Sequence, residues 1–199
     1  QLKERPLLTV EASQGYIHYR KGSCVMYYLK EMIGEEKING VLRDLVKRFG
    51  YQEPPYPTAL DLVEGLRAVT PEEMQYLLSD LFEEITLFAN RTTEAKYEEL
   101  EDGKYRVTLD VVCEKFRADE KGLESEVPVN DWIEIGAFAA PESGLRYGKT
   151  LHRERKRITS RESSFEFVVD EVPAKVGIDP FSLLIDRVPG DNVKSPSHM

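Results

Sequence analysis

Chemistry has few places to sit in this chain, and the densest of them is Tyr16-Ile17-His18-Tyr19-Arg20-Lys21-Gly22. The stretch runs without a break into an apolar helical face at Val25, Tyr28, Leu29, Met32 and Ile33. A tyrosine at the head of an amphipathic helix most often packs, so pattern alone gives Tyr19 no role. Metal chemistry has less support. Zinc needs three fixed ligands and an open position for water, and the three histidines, His18, His152 and His198, are far apart in sequence. His18 reads as a structural neighbour of Tyr19, and His152 as a residue of an exposed strand. Cys24 and Cys113 lie inside apolar patterns on different elements, which predicts two buried thiols rather than a disulfide or a metal cluster.

The elements that must position these residues change character part-way along the chain. Residues 1 to 15 form an extended lead-in, with Leu7-Leu8-Thr9-Val10 before the punctuation Ser13-Gln14-Gly15. A helix from about Arg20 ends at Gly34, which reads as a left-handed cap, and a second carries Ile38, Val41, Leu42, Leu45, Val46 and Phe49 as a core stripe before Gly50. After the proline-rich break from Gln52 to Pro57, Thr58 caps a third helix bearing Leu60, Leu62, Val63 and Leu66. Thr70-Pro71-Glu72-Glu73 has the residues of an N-terminal cap for a fourth, striped with Met74, Leu77, Leu78, Leu81, Phe82 and Ile85. The chain is therefore expected to be helical from 16 to about 88.

From about Thr92 the period falls from 3.6 to 2. Glu101-Asp102-Gly103 reads as a hairpin turn, followed by Tyr105, Val107, Leu109, Val111 and Cys113 on one strand face. Further strands are predicted at Asp131 to Ala139, Thr150 to Ile158 and Ser164 to Asp170. The fold class is α+β in at least two domains: a helical segment over 1–90 and an immunoglobulin-like antiparallel β-sandwich over 91–190. Residues 191–199, ending in Ser195-Pro196-Ser197-His198-Met199, read as a linker-like tail on an excised fragment.

Composition narrows the partners. The chain has 199 residues, 41% of them hydrophobic, with 36 acidic against 27 basic side chains and a net charge of -9. That content can supply a core, while the acidic balance works against nucleic acid or an anionic membrane as a partner. The run Arg153-Glu154-Arg155-Lys156-Arg157 fits a solvated strand face of mixed sign, or a patch facing another domain or partner. No apolar run approaches the ~20 residues that cross a bilayer, so the fragment is expected to be soluble, without direct membrane contact.

The Tyr-x-Lys-Gly pattern at Tyr19 to Gly22, the Glu53-Pro54-Pro55-Tyr56-Pro57 break, the helix end Asp80-Leu81-Phe82 and the segment Asp179-Pro180 resemble the back part of the aminopeptidase N family of zinc metallopeptidases. Tyr16 to Met26, with Asp131-Trp132-Ile133-Glu134-Ile135-Gly136, is similar to bacterial members associated with membrane permease segments of the ABC transporter type. The resemblance extends over about 15 to 193 and implies the helical end of the catalytic domain followed by the sandwich. It implies Tyr19 as the catalytic residue of this stretch, its hydroxyl aimed at the oxyanion of peptide-bond hydrolysis. Zinc would belong to the full-length parent, because that family's His-Glu-x-x-His motif and further Glu have no copy here. The implied partners are the rest of the parent and its peptide substrate, in a bacterial parent associated with a membrane. The alternative is a parent that has lost catalysis, leaving an interaction or scaffolding module attached to a transporter.

Overall fold

The computed structural model describes residues 3–199, which divide into two compact units: 3–86 with Arg117–Ser125, and Leu87–Phe116 with Glu126–Met199. The protein is α+β.

The first unit is built on helices α1 (Gly22–Ile33), α2 (Glu35–Phe49) and α3 (Ala59–Val69). A π-helical turn, Tyr16–Lys21, leads directly into α1, whose Val25, Tyr28, Leu29, Met32 and Ile33 are all buried. Gly34 alone separates α1 from α2, with φ 98° and ψ 142°; the positive φ is as expected of a glycine, but the residue is extended rather than a left-handed cap. Gly50 ends α2 for a different reason. Its φ is an ordinary -66°, but a Cβ there would stand 2.5 Å from the Val46 carbonyl oxygen.

At the start of α3 the Asp61 carboxylate accepts both the Thr58 N–H at 2.8 Å and the Thr58 hydroxyl at 3.1 Å, so the predicted cap is present with Asp61 as its acceptor. The predicted fourth helix is not continuous. It breaks into a 3-10 turn at Glu72–Met74, a short turn at Tyr76–Leu78 and a π-helical turn at Ser79–Glu83. Thr70 does not cap it, because its hydroxyl donates back to the Leu66 carbonyl at 2.7 Å while Gln75 Nε2 donates to the Thr70 carbonyl.

Strand β1 runs Ile85–Glu99, so the helical reading to residue 88 and the change of period near Thr92 are corrected. Its inward residues are Thr86, Phe88, Asn90 and Thr92, three of them polar. An inward face of that composition conceals the alternation on which strand reading relies. The hairpin turn lies where Glu101-Asp102-Gly103 predicts it, closed by Leu100 N–H donating to the Lys104 carbonyl at 2.8 Å, and leads into β2 (Tyr105–Ala118).

The remaining strands are β3 (Glu124–Val127), β4 (Asp131–Phe138), β5 (Thr150–Ile158), β6 (Glu162–Val169), β7 (Lys175–Ile178), β8 (Val193–Lys194) and β9 (Ser197–His198). One sheet orders β3-β2-β1-β9 with β6 also on β2, and the other orders β5-β4-β7-β8. The register of β2 on β6 is antiparallel from Tyr105 opposite Val169 to Val112 opposite Glu162, and β4 meets β5 from Asp131 opposite Ile158. Strands β1, β2 and β6 in one sheet and β5, β4, β7 and β8 in the other give the interleaved connections of an immunoglobulin-like sandwich.

Val107, Leu109, Val111 and Cys113 of β2 and Ile133, Ile135 and Ala137 of β4 are buried. The final segment is not a loose tail: Asn192 is buried, β8 pairs with β7, and Ser197 and His198 pair in parallel with Lys96 and Tyr97. Short polar sequences of this kind carry no strand signal of their own and are ordered by the edge they join.

Candidate functional site

Tyr19 sits in the π-helical turn that precedes α1, not at an α-helical N-terminus. The turn is started by Gln14, a buried residue whose carbonyl accepts the N–H of Ile17 at 2.9 Å and of His18 at 3.2 Å. It ends at Gly22, whose N–H donates to the Ile17 carbonyl five residues back. The wider turn inserts an extra residue relative to an α-helix, a distortion often associated with functional sites. Ile17 is the turn's buried anchor, while Tyr19 is 77% exposed. The packing role that a tyrosine at this position most often takes is therefore not the one Tyr19 has.

The lead-in segment holds this turn, which sequence reading treats only as punctuation. Gln14 Nε2 donates to the Lys3 carbonyl at 2.7 Å, and the Glu4 N–H donates to the Glu120 carbonyl at 3.1 Å. Two residues after Tyr19, the half-buried Lys21 has its ammonium pKa lowered by burial, with Glu4 acting in the opposite direction. The run of mixed polarity from Lys3 to Gln14 gives no sign that it buttresses the following turn, because the hydrogen bonds of Gln14 Nε2 and the Glu4 N–H end on main-chain carbonyls, which no residue type marks.

The other candidate residues are not brought to Tyr19. His18 is exposed in the same turn, and His198 lies on β9 against the ring of Tyr97. His152 is less exposed than its strand suggests: it stacks on Phe167 with centroids 4.0 Å apart, and burial lowers its pKa. Cys24 is exposed, correcting the expectation of two buried thiols, whereas Cys113 is buried and its thiol is pushed up to about 12 by loss of water. Among the described residues no three His, Cys, Asp or Glu side chains converge to hold a metal ion, so these residues do not fit a zinc site.

The charged run on β5 is engaged within its own sheet. Arg153 Nε donates to Glu134 at 2.8 Å, Lys156 pairs with Glu154 at 2.7 Å and Arg157 Nε donates to Asn130 Oδ1 at 2.7 Å. Arg153 also lies over the Phe181 ring and Arg157 over Trp132. Both arginines are thus committed to intramolecular contacts.

Compared with known proteins, the chain matches no family model and no curated protein. Among solved structures it is similar to the crystal structure of Legionella pneumophila aminopeptidase A in complex with aspartic acid, at 16% identity and a TM-score of 0.47. The match covers 94% of this chain and 20% of that one, so the chain spans about a fifth of that protein's length. Among the described residues no helix is long and apolar enough to cross a membrane.

Proposed function

We propose that this chain is the back part of a zinc metallopeptidase of the aminopeptidase N type, from a bacterial parent with permease-like segments, and that Tyr19 is its contribution to catalysis. The zinc ligands and the general base would lie upstream in the parent, as would the anchor for the substrate amine. The observation that carries the reading is the 77% exposure of Tyr19 on a turn fixed at both ends by main-chain hydrogen bonds. The turn fixes where Tyr19 leaves the main chain, and the rest of the parent's site would hold its phenol as a preorganised donor. Its role is to donate to the oxyanion that forms when the peptide carbonyl becomes tetrahedral, an interaction stronger in the transition state than in the ground state.

The test is Tyr19→Phe in the full-length parent, which deletes one hydroxyl and keeps the ring. The expected outcome is a fall in kcat of about a hundredfold to a thousandfold with little change in KM, zinc content or thermal transition. Near-normal turnover with zinc bound overturns the catalytic role. A parent reading frame without His-Glu-x-x-His upstream favours the interaction module instead.

A further inference from the structure

Among the described residues five side chains bury an oxygen that has no hydrogen-bond partner, and three of them, Asn90, Asp191 and Asn192, belong to segments joined to each other. The Thr92 N–H donates to the Asp191 carbonyl at 3.1 Å, and the Thr92 hydroxyl to the Asn192 carbonyl at 2.6 Å. Asp186 roots both asparagines at one carboxylate: its Oδ2 accepts the Asn90 main-chain N–H at 3.0 Å and Asn192 Nδ2 at 3.3 Å. Asn90 and Asn192 are each 1% exposed. The Asn90 amide leaves both its oxygen and its nitrogen without a partner, Asn192 leaves its Oδ1, and Asp191 leaves a carboxylate oxygen. Buried polar groups are ordinarily paired, so a cluster of orphans marks the seat of a polar guest.

The chemistry of the guest follows from the charges. Asp186 and Asp191 bring two carboxylates to this place, and among the described residues neither forms an ion pair with a lysine, arginine or histidine. Water would supply hydrogen bonds but leave both charges uncompensated, whereas a cation serves both needs. Carboxylate and amide oxygens select a hard cation over a transition metal. Calcium takes about six to eight oxygens from carboxylates, amide carbonyls and water in an adaptable arrangement, while magnesium demands a near-ideal octahedron.

We propose that the sandwich binds one calcium ion between β1 and the loop 186–192, through the carboxylates of Asp186 and Asp191 and the amide oxygens of Asn90 and Asn192. The ion has a structural role there. The Asn192 carbonyl accepts the Thr92 hydroxyl of β1 and the Ile178 N–H of β7 at 3.0 Å, so the loop ties one sheet to the other. An ion seated on the loop clamps that closure. With two carboxylates the site is weak, with a dissociation constant on the order of 0.1 to 1 mM.

Urea unfolding of the 199-residue chain, stripped with EGTA and followed by the fluorescence of Trp132, its single tryptophan on β4, tests it. Calcium chloride at about 10 mM should raise the folded-to-unfolded ratio about 10- to 100-fold by mass action. Sodium chloride at matched ionic strength measures how much of the rise is screening of the net charge of -9, and magnesium chloride should add little to it. The calcium-specific rise should vanish in Asp191→Asn, which keeps the shape and removes one charge. It should also vanish in Asn90→Leu, which exchanges the orphan amide for an apolar side chain of similar size. If Asp191→Asn fails to fold, Asn90→Leu decides. A calcium effect no larger than that of sodium overturns the proposal and leaves buried water as the guest. An effect that survives in either folded variant overturns it equally, because the ion then sits elsewhere on the acidic surface. The readout is the stability of the sandwich, so the result is independent of the role of Tyr19.

Discussion

The helical unit and the sandwich differ in how much charge they bury. In the first unit Tyr16, Tyr19, Tyr27, Leu42, Val46, Tyr51, Tyr56 and Leu60 are exposed. The sandwich buries more polar groups: the charged Lys115, Asp131, Glu134 and Asp179 and the amides Asn90 and Asn192, against Gln14, Thr70 and Asp80 in the first unit. Lys115 Nζ stands 2.9 and 3.2 Å from the two Asp131 oxygens and over the Phe88 ring. The stability of the sandwich therefore depends on buried ion pairs such as Lys115–Asp131, whereas the helical unit buries fewer charged groups.

The contrast is broken most severely at the buried pair. Lys115→Ala leaves a carboxylate in the core without its cation, and urea unfolding should show a loss of about 3 to 5 kcal/mol. A fully retained midpoint would mean that Asp131 is adequately served by the Asn130 N–H and its other neighbours.

A second effect is set by pH. Asp179 accepts the N–H groups of Leu183 and Leu184, yet loss of water, with Asp186 and Glu134 nearby, pushes its pKa up to about 7. The folded state thus holds a proton that the unfolded chain releases near the ordinary carboxylate value. The stabilisation associated with this group is complete below about pH 4 and is lost as pH rises through about 7. The thermal transition should fall over that window, and Asp179→Asn should flatten the fall. An equally steep fall in the variant would assign it to other groups.

The smallest effect belongs to the open face of α2. Val46→Ser should change unfolding free energy by no more than about 0.5 kcal/mol. A loss comparable to that of Lys115→Ala would show that Val46 is covered within the monomer and erase the difference between the units.

Sequence made much of this arrangement legible where composition and period agree. Thr150 to Ile158 is a strand as read, the turn at Glu101-Asp102-Gly103 is in place, and the α1 stripe is buried throughout. It was least informative where polar residues face inward or apolar ones outward. The start of β1 was hidden by Thr86, Asn90 and Thr92, and the α2 stripe looked like core because periodicity records a helix's face but not what covers it. The exposure of Tyr19 was likewise unreadable, since it depends on Gln14 and the π-helical turn rather than on any property of the tyrosine.

The parallel pairing of Ser197 and His198 with Lys96 and Tyr97 bears on time rather than on stability. Strand β1 cannot acquire this neighbour until roughly 100 intervening residues have been brought into place, a separation that makes such contacts late and slow in forming. The helices of the first unit depend on local contacts and can form on a much faster scale. During that interval the outer edge of β1 offers unpaired N–H and carbonyl groups to any other extended chain, until residues 185–192 pair with Phe88 and Thr92 and β9 with Lys96 and Tyr97.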